Sequence, residues 1–562
     1  MVKRYFRLLA AAVLTACLVA PTFADQKKDN SGAAITRNLD IFNSLYKELA
    51  TLYVDTIDAQ QSIETAINAM LDDIDPYTEY IPAKEQDDFR VISTGQYGGI
   101  GSYIMQRTDS LHRGVYISGP YKDSPAAKVG LRAGDRIVSI DGMDVTGWNQ
   151  DSVSSHLKGQ ANTRVTVQVV RPYDADSLKT FTIMRENIKV DPVPFYGVTR
   201  GCLGYIYLTT FNEHSAQQVR DAVLALKANP AVKALVLDLR GNGGGLMESA
   251  VQIVGMFVYK GKHVLTTRGR DKASEKIYKT TQDPIDTKIP LAVLIDGGSA
   301  SASEITAGAL QDLDRAVVVG SRSFGKGLVQ STRPLPFDGI LKVTIAKYYI
   351  PSGRLIQEVD YSHRKADGTY ERTTVADSLA RVFHTANGRE VREGGGITPD
   401  IKVDFPEMNR LVYNIVRDHW AFDFATKYAA EHPTLPAPAD FTVTDEIFND
   451  FKQWLDPERF QYDKVCEQGL ATLQKIAKTE GYMNDSTQAV FQQLEGLLKH
   501  DLNHDLDTHR SEIARLLAQE IVTRYYYQAG DAENSLRTDE CLDRVLQLLA
   551  EPNGWNRTLA RK

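Results

Sequence analysis

Two runs, ALVLDLRG (234–241) and PLAVLID (290–296), constrain the fold more than anything else in the chain. Each is apolar at successive positions rather than at alternate ones, so each must be covered on both faces. Stretches of helical period lie between them and before them, SAQQVRDAVLALKA (215–228) and LMESAVQIVGMFV (246–258). LGYIYL (203–208) and LKVTIAKYYIP (341–351) add further strands. Strands that alternate with helices and are buried on both faces predict a largely parallel sheet with helices against it.

The flanks read differently. From 38 to 89 the pattern is helical, with Ser62 placed to cap a helix and DPYTEYIP (75–82) as a turn. From 90 to 190, strand-like runs such as GVYISGPY and RVTVQVVRP alternate with glycine turns around one short helix at SPAAKVGL. Residues 191–403 hold the α/β pattern. From 404 to 562 the pattern is helical, with PTLPAPAD (433–440) resembling a linker. The helical tail reads as packing or oligomerisation surface, and Tyr525-Tyr526-Tyr527 as core or interface.

The chain has 562 residues, 43% hydrophobic and 24% charged, enough for roughly three to four domains. With 65 basic and 72 acidic side chains the net charge is −7, so no broad basic surface argues for nucleic acid. A mean hydropathy of −0.30 argues against many membrane spans. Met1–Arg4 is basic, Leu8–Ala20 is an apolar run too short to span a bilayer comfortably, and Thr22–Ala24 offers a cleavage site after Ala24. LTAC (14–17) is a rival lipidation box that would make Cys17 the new N-terminus. Either route takes the chain out of the cytoplasm, to the periplasm or cell envelope. The four cysteines (17, 202, 466 and 541) form no C-x-x-C pair, so no metal or redox motif is present; a Cys466–Cys541 bridge is left open.

The chemistry gathers in GGSASASEITAGALQDLDRAVVVGSRSFGKGLVQ (297–330). Ser299, Ser301 and Ser303 alternate at a strand-to-helix junction, where a hydroxyl lies at the positive end of a helix. Ser301 and Glu304 also fit a capping box, which does not exclude a nucleophile. No histidine lies between His263 and His363 to serve as base, and the G-x-S-x-G pattern is not met. Lys326 can serve only if neutral, which takes roughly 4–5 kcal/mol to lower its pKa from about 10.4 to near 7. Burial supplies effects of that size, and Phe324, Gly325 and Gly327 are expected to desolvate the amine. Gln330, four residues on, is placed to orient it. DLRGNGGG (238–245) exposes backbone N–H groups after a buried strand, as an oxyanion hole requires.

These residues, with DPYTEY, YGGIGSYI, SPAAKVGLRAGDRIVSIDG, LVLDLRGNGGG, AKYYIPSGRLIQ and GGGITPDI, resemble the carboxyl-terminal processing peptidases, or tail-specific proteases, over most of 38–403. The resemblance implies a multidomain α/β protein. Its parts would be an N-terminal helical segment, a PDZ domain, a crotonase- or ClpP-like serine protease core and a C-terminal helical domain. It implies Ser301 as nucleophile, Lys326 as general base, Gln330 as its orienting amide and Asp312 as support. It further implies an oxyanion hole from Ala302 and a glycine of the Gly243–Gly245 run, Gly243 or Gly244. The PDZ domain would bind a substrate's terminal carboxylate at Tyr97, Gly98, Gly99, Ile100 and Gly101. No metal or cofactor is implied. The expected partners are proteins or peptides with apolar C-termini, a second copy through the terminal helices, and a regulatory adaptor.

Overall fold

The computed structural model describes residues 32–109, 112–364, 370–372, 380–405 and 408–560. The export signal and Cys17 lie outside them. Residues 32–73 form one unit of two helices, Gly32–Leu52 and Ala59–Asp72. Asp58, not Ser62, caps the second: its carboxylate accepts from the Gln61 N–H at 2.9 Å. The good helix formers Ala59, Gln60 and Gln61 start the helix before Ser62, whose hydroxyl donates back to the Asp58 carbonyl at 2.7 Å.

In the second unit, the core is a six-stranded sheet. Its strand order is Phe195–Thr199, Leu203–Tyr207, Ala234–Asp238, Leu291–Ile295, Val317–Gly320, Ile401–Lys402. Every pairing but the first is parallel. All residues of Ala234–Asp238 and Leu291–Ile295 are buried, as their unbroken apolar runs require. Leu235, Leu237, Leu291 and Val293 share one core with the helices Ser215–Lys227, Met247–Gly255 and Ala302–Asp312. Ala234, Val236, Ala292 and Leu294 share another with Leu542, Val545 and Leu548 of the helix Glu540–Ala550. The tail is therefore the second cover of the sheet, each of those three side chains adding about 1.5–3 kcal/mol of apolar burial.

A second sheet sets Ile340–Tyr349 between Glu79–Ile81, His263–Gly269 and Leu328–Pro334. DPYTEYIP is thus not wholly a turn within a helical segment. Its Tyr80 and Ile81 suit a pleated edge, and it supplies a strand beside Ile340–Tyr349. The region 90–190 builds an antiparallel sheet of Ser102–Arg107, Gly114–Pro120, Arg136–Ile140, Arg164–Val170 and Leu178–Met184. Val165, Val167 and Val169 face its core with the period of two that RVTVQVV spells out.

In the tail, Phe424, Phe448, Phe451 and Ile521 form a separate core. Pro433–Asp440 is packed rather than a free linker: the Leu435 carbonyl accepts from Tyr526 at 2.7 Å and the Pro438 carbonyl from Asn534 at 2.6 Å. Arg107, on the 90–190 sheet, is tied to Asp423 of the tail at 2.6 Å. Cys202, Cys466 and Cys541 are free, so the bridge left open by the sequence does not form.

Candidate active site

Strand Leu291–Ile295 ends at Asp296, whose carboxylate accepts from the N–H groups of Gly241 and Gly298, both at 2.9 Å. One side chain thereby ties the glycine run to the serine run. The three serines then separate. The Ser299 hydroxyl is buried and donates to the Leu239 carbonyl at 2.7 Å. The Ser303 hydroxyl is buried and donates to the Asn242 carbonyl at 2.8 Å. Ser301 borders a cavity of about 500 Å³, together with Gly243, Gly244, Gly245, Lys326 and Gln330. Its φ of 55° is one that L side chains rarely adopt, and such strain costs about 1–3 kcal/mol. It stands at the N-terminus of the wholly buried helix Ala302–Asp312, where the free N–H groups favour negative charge.

Glu304 makes the capping contact the sequence suggests, accepting from the Ser301 N–H at 2.8 Å. It also does what the sequence did not reveal. Its buried carboxylate accepts from the Ser323 hydroxyl at 2.6 Å, the Gly325 N–H at 2.7 Å and the Lys326 N–H at 2.9 Å. Burial pushes the Glu304 carboxyl up, against these four donors. On the other side the buried Tyr348 hydroxyl lies 2.7 Å from the Lys326 carbonyl and 3.2 Å from that of Ser301. One carboxylate and one phenol thus hold the backbones of Ser301 and Lys326.

Burial brings the Lys326 amine down to about 8, helped by the nearby Lys342 and opposed by Glu79, Asp75 and Glu304. Phe324 is 47% exposed and is not among the residues that line the cavity with Lys326. The ring over Nζ is Tyr77, at 4.2 Å from its centroid. Among the described residues, the Ser301 hydroxyl and Lys326 Nζ share no hydrogen bond. Gln330 lines the same cavity, but its amide donates to Thr344 Oγ1 at 3.2 Å instead of meeting the amine. The bond suits a strand residue facing its partner on Ile340–Tyr349.

In the glycine run, the Gly244 N–H is engaged by Asn242 Oδ1 at 2.9 Å, which removes it as a free donor. Gly243 is exposed and its N–H has no partner among the described residues. Gly244 must be glycine for another reason. Its φ is 101°, and a Cβ there would lie 2.7 Å from the Ala300 carbonyl oxygen and 2.9 Å from Ser301 Cβ. Ala302, at the first helical position, lies against the same run. Asp312, at the far end of the helix, accepts from Arg354 at 2.9 Å and from the Ser352 N–H at 2.9 Å, away from the cavity.

Tyr97, Gly98 and Gly99 do not form an open loop. They lie on a strand, Gln96–Gly99, paired with Glu186–Lys189. Glycine at 98 lets the Gly159 carbonyl approach, since a Cβ would stand 2.1 Å from its oxygen. The connection proper is Ile100-Gly101, whose carbonyls accept from the N–H groups of Ala126 and Tyr121 at 2.8 and 2.9 Å.

Three stretches of the chain match known protein families. Residues 202–362 match peptidase family S41, 116–171 match a PDZ domain, and 411–549 match the C-terminal helical domain of probable PDZ-proteases. The carboxy-terminal-processing protease of Bartonella bacilliformis is 34% identical over 64% of this chain and 81% of its own length. A probable CtpA-like serine protease of Staphylococcus aureus is 29% identical over 88% of both chains. Among solved structures, the photosystem II D1 C-terminal processing protease is 29% identical over 64% of this chain and 86% of its own, with a TM-score of 0.35. The chain belongs to peptidase family S41, as a carboxy-terminal-processing serine protease that carries a PDZ domain.

Proposed function

We propose that the chain is an exported endopeptidase in which Ser301 is the nucleophile and Lys326 the general base. The observation that carries this reading is that Ser301, alone of the three serines, borders a cavity shared with an amine whose affinity for protons burial has lowered to about 8. Neutral Lys326 takes the Ser301 proton as Oγ attacks the scissile carbonyl. The N–H groups of Gly243 and Ala302 receive the developing oxyanion. The ammonium then protonates the leaving amine, and water hydrolyses the acyl-enzyme. Turnover requires Lys326 to approach Ser301 from the position it holds over Tyr77.

The PDZ domain selects the substrate by its apolar C-terminal tail, added as a strand beside the domain. Residues 1–24 support export, and envelope proteins are then the substrates. Association of copies through the terminal helices belongs to the same proposal: Gly32–Leu52 buries none of its residues and exposes Leu39, Phe42 and Leu45. So does regulation by an adaptor acting on the lysine's approach.

The test is cleavage of an unstructured protein with an apolar tail, and of the same protein with a charged tail, by wild type, Ser301→Ala and Lys326→Ala. Cleavage by wild type alone, weakened by the charged tail, is expected. Cleavage that survives in Ser301→Ala refutes the nucleophile. Tail binding without cleavage by wild type points to a scaffold.

A further inference from the structure

DPYTEY has no place in the dyad, yet it puts an aromatic ring on the base. The turn is rigid. Asp75 is 5% exposed, and its Oδ1 accepts from the N–H groups of Tyr77 and Thr78, both at 2.8 Å. The Thr78 hydroxyl donates to Asp75 Oδ2 at 3.0 Å and accepts from the Thr344 N–H at 3.2 Å. Glu79 then pairs in register with Lys342 and bonds its ammonium at 3.2 Å. The Tyr77 ring stands edge-on to Tyr361, centroids 5.8 Å apart, with the two hydroxyls 3.4 Å apart. Its face is left to Lys326 Nζ, 4.2 Å from the centroid.

A ring face attracts an ammonium far more strongly than a neutral amine, so this contact favours the protonated base. It opposes the burial and the Lys342 charge that expel the proton, on the same side as Glu79, Asp75 and Glu304. The Tyr77 hydroxyl adds no charge of its own, since burial beside Tyr361 keeps it protonated. Loss of the proton weakens the attraction to Tyr77 and removes the bar to acting as base.

We propose that Tyr77 is a positioning residue of the peptidase, whose ring face holds the Lys326 ammonium off Ser301 and so sets the pH above which the amine is free to act. The role rests on Lys326 being the general base.

The experiment is the pH profile of kcat/KM on an unstructured fluorogenic peptide for wild type, Tyr77→Phe and Tyr77→Leu, with Lys326→Ala alongside. Tyr77→Leu is expected to move the acid limb down by about 0.4–1.5 pH units, while Tyr77→Phe, which keeps the ring face, stays near wild type. Should Tyr77→Leu not fold, phenylalanines of increasing fluorination at 77 keep the shape and weaken the ring face, and the limb should fall stepwise. Trace acetylation of Lys326 by acetic anhydride in a Ser301→Ala background, read by mass spectrometry across pH, should move with the limb. A limb that stays fixed or rises as the ring face is weakened, with Lys326→Ala inactive, overturns the role of Tyr77 alone. Activity in Lys326→Ala removes the dyad, and the role of Tyr77 with it.

Discussion

Replacing Lys326 by Met should make the protein inactive and more stable at neutral pH. The amine loses its proton at about 8 in the folded chain, against an ordinary 10.5. The folded state therefore binds the proton more weakly than the unfolded one, and between those values the unfolded state holds more protons. Stability from this one group rises with pH across that window. Below it the charged lysine carries its full penalty, and above it none. At about 1.36 kcal/mol per unit the penalty is at most about 3 kcal/mol, and partial solvent access brings it nearer 2. Met fills a similar volume without a charge. Lys326→Met should thus gain about 2 kcal/mol over wild type at pH 7, with the gain shrinking steadily toward pH 10.5. Denaturant unfolding of both proteins from pH 7 to 10, followed by tryptophan fluorescence, reads the difference, and groups common to both cancel. A difference that is flat with pH, or a variant less stable at pH 7, would refute the claim that burial destabilises the ammonium.

Three other substitutions probe the frame around Ser301 and Lys326. Gly244→Ala should lower kcat/KM by about a hundredfold or more, since its Cβ would press on the Ala300 carbonyl and on Ser301 Cβ at under 3 Å; single-turnover kinetics should place the loss in acylation. Glu304→Gln turns one of two accepting oxygens into a donor facing donors, so it should cost about 3 kcal/mol in denaturant unfolding and a larger share of kcat than of KM. Asp312→Ala leaves Arg354 buried without its carboxylate, and about 3–5 kcal/mol of stability should go with little change in KM for the protein that remains folded.

The parallel sheet was legible because consecutive apolar residues admit few other solutions, and Leu235 and Val236 do face opposite cores. What covers the second face was not. Leu542, Val545 and Leu548 show only that the last long helix has an apolar side, and that signal is the same whether a sheet, a helix or a second copy lies against it. Glu304 was legible as a cap and invisible as the acceptor for the Lys326 loop, because the capping pattern is local and the other three donors come from a loop beyond the helix. Phe324, with the small Gly325 and Gly327 letting the backbone pack closely, was expected to desolvate the amine. Gly325, at φ 89°, turns the chain between Phe324 and Lys326, and the ring found over Nζ is that of Tyr77, which sequence distance hides.

The same features say where the site can change. Glu304 takes the N–H groups of Ser301 and Lys326, and Tyr348 reaches both of their carbonyls. The backbones of Ser301 and Lys326 are thereby held by one buried carboxylate and one buried phenol. Breaking either bond inside the protein leaves a buried donor or acceptor unpaired, at about 1–3 kcal/mol for each group. The lysine side chain is under no such restraint: Nζ has a ring face beneath it and the serine elsewhere along the same cavity. On the proposed mechanism, the step that brings Lys326 to Ser301 is therefore cheapest as a rotation of the Lys326 side chain, with the main chain still. Any signal from the PDZ domain or the tail that activates the site would have to act on what Lys326 leaves, the Tyr77 turn, or on what it enters, the cavity wall at Gln330. The backbone of Ser301 and Lys326 is the part of the site least able to answer.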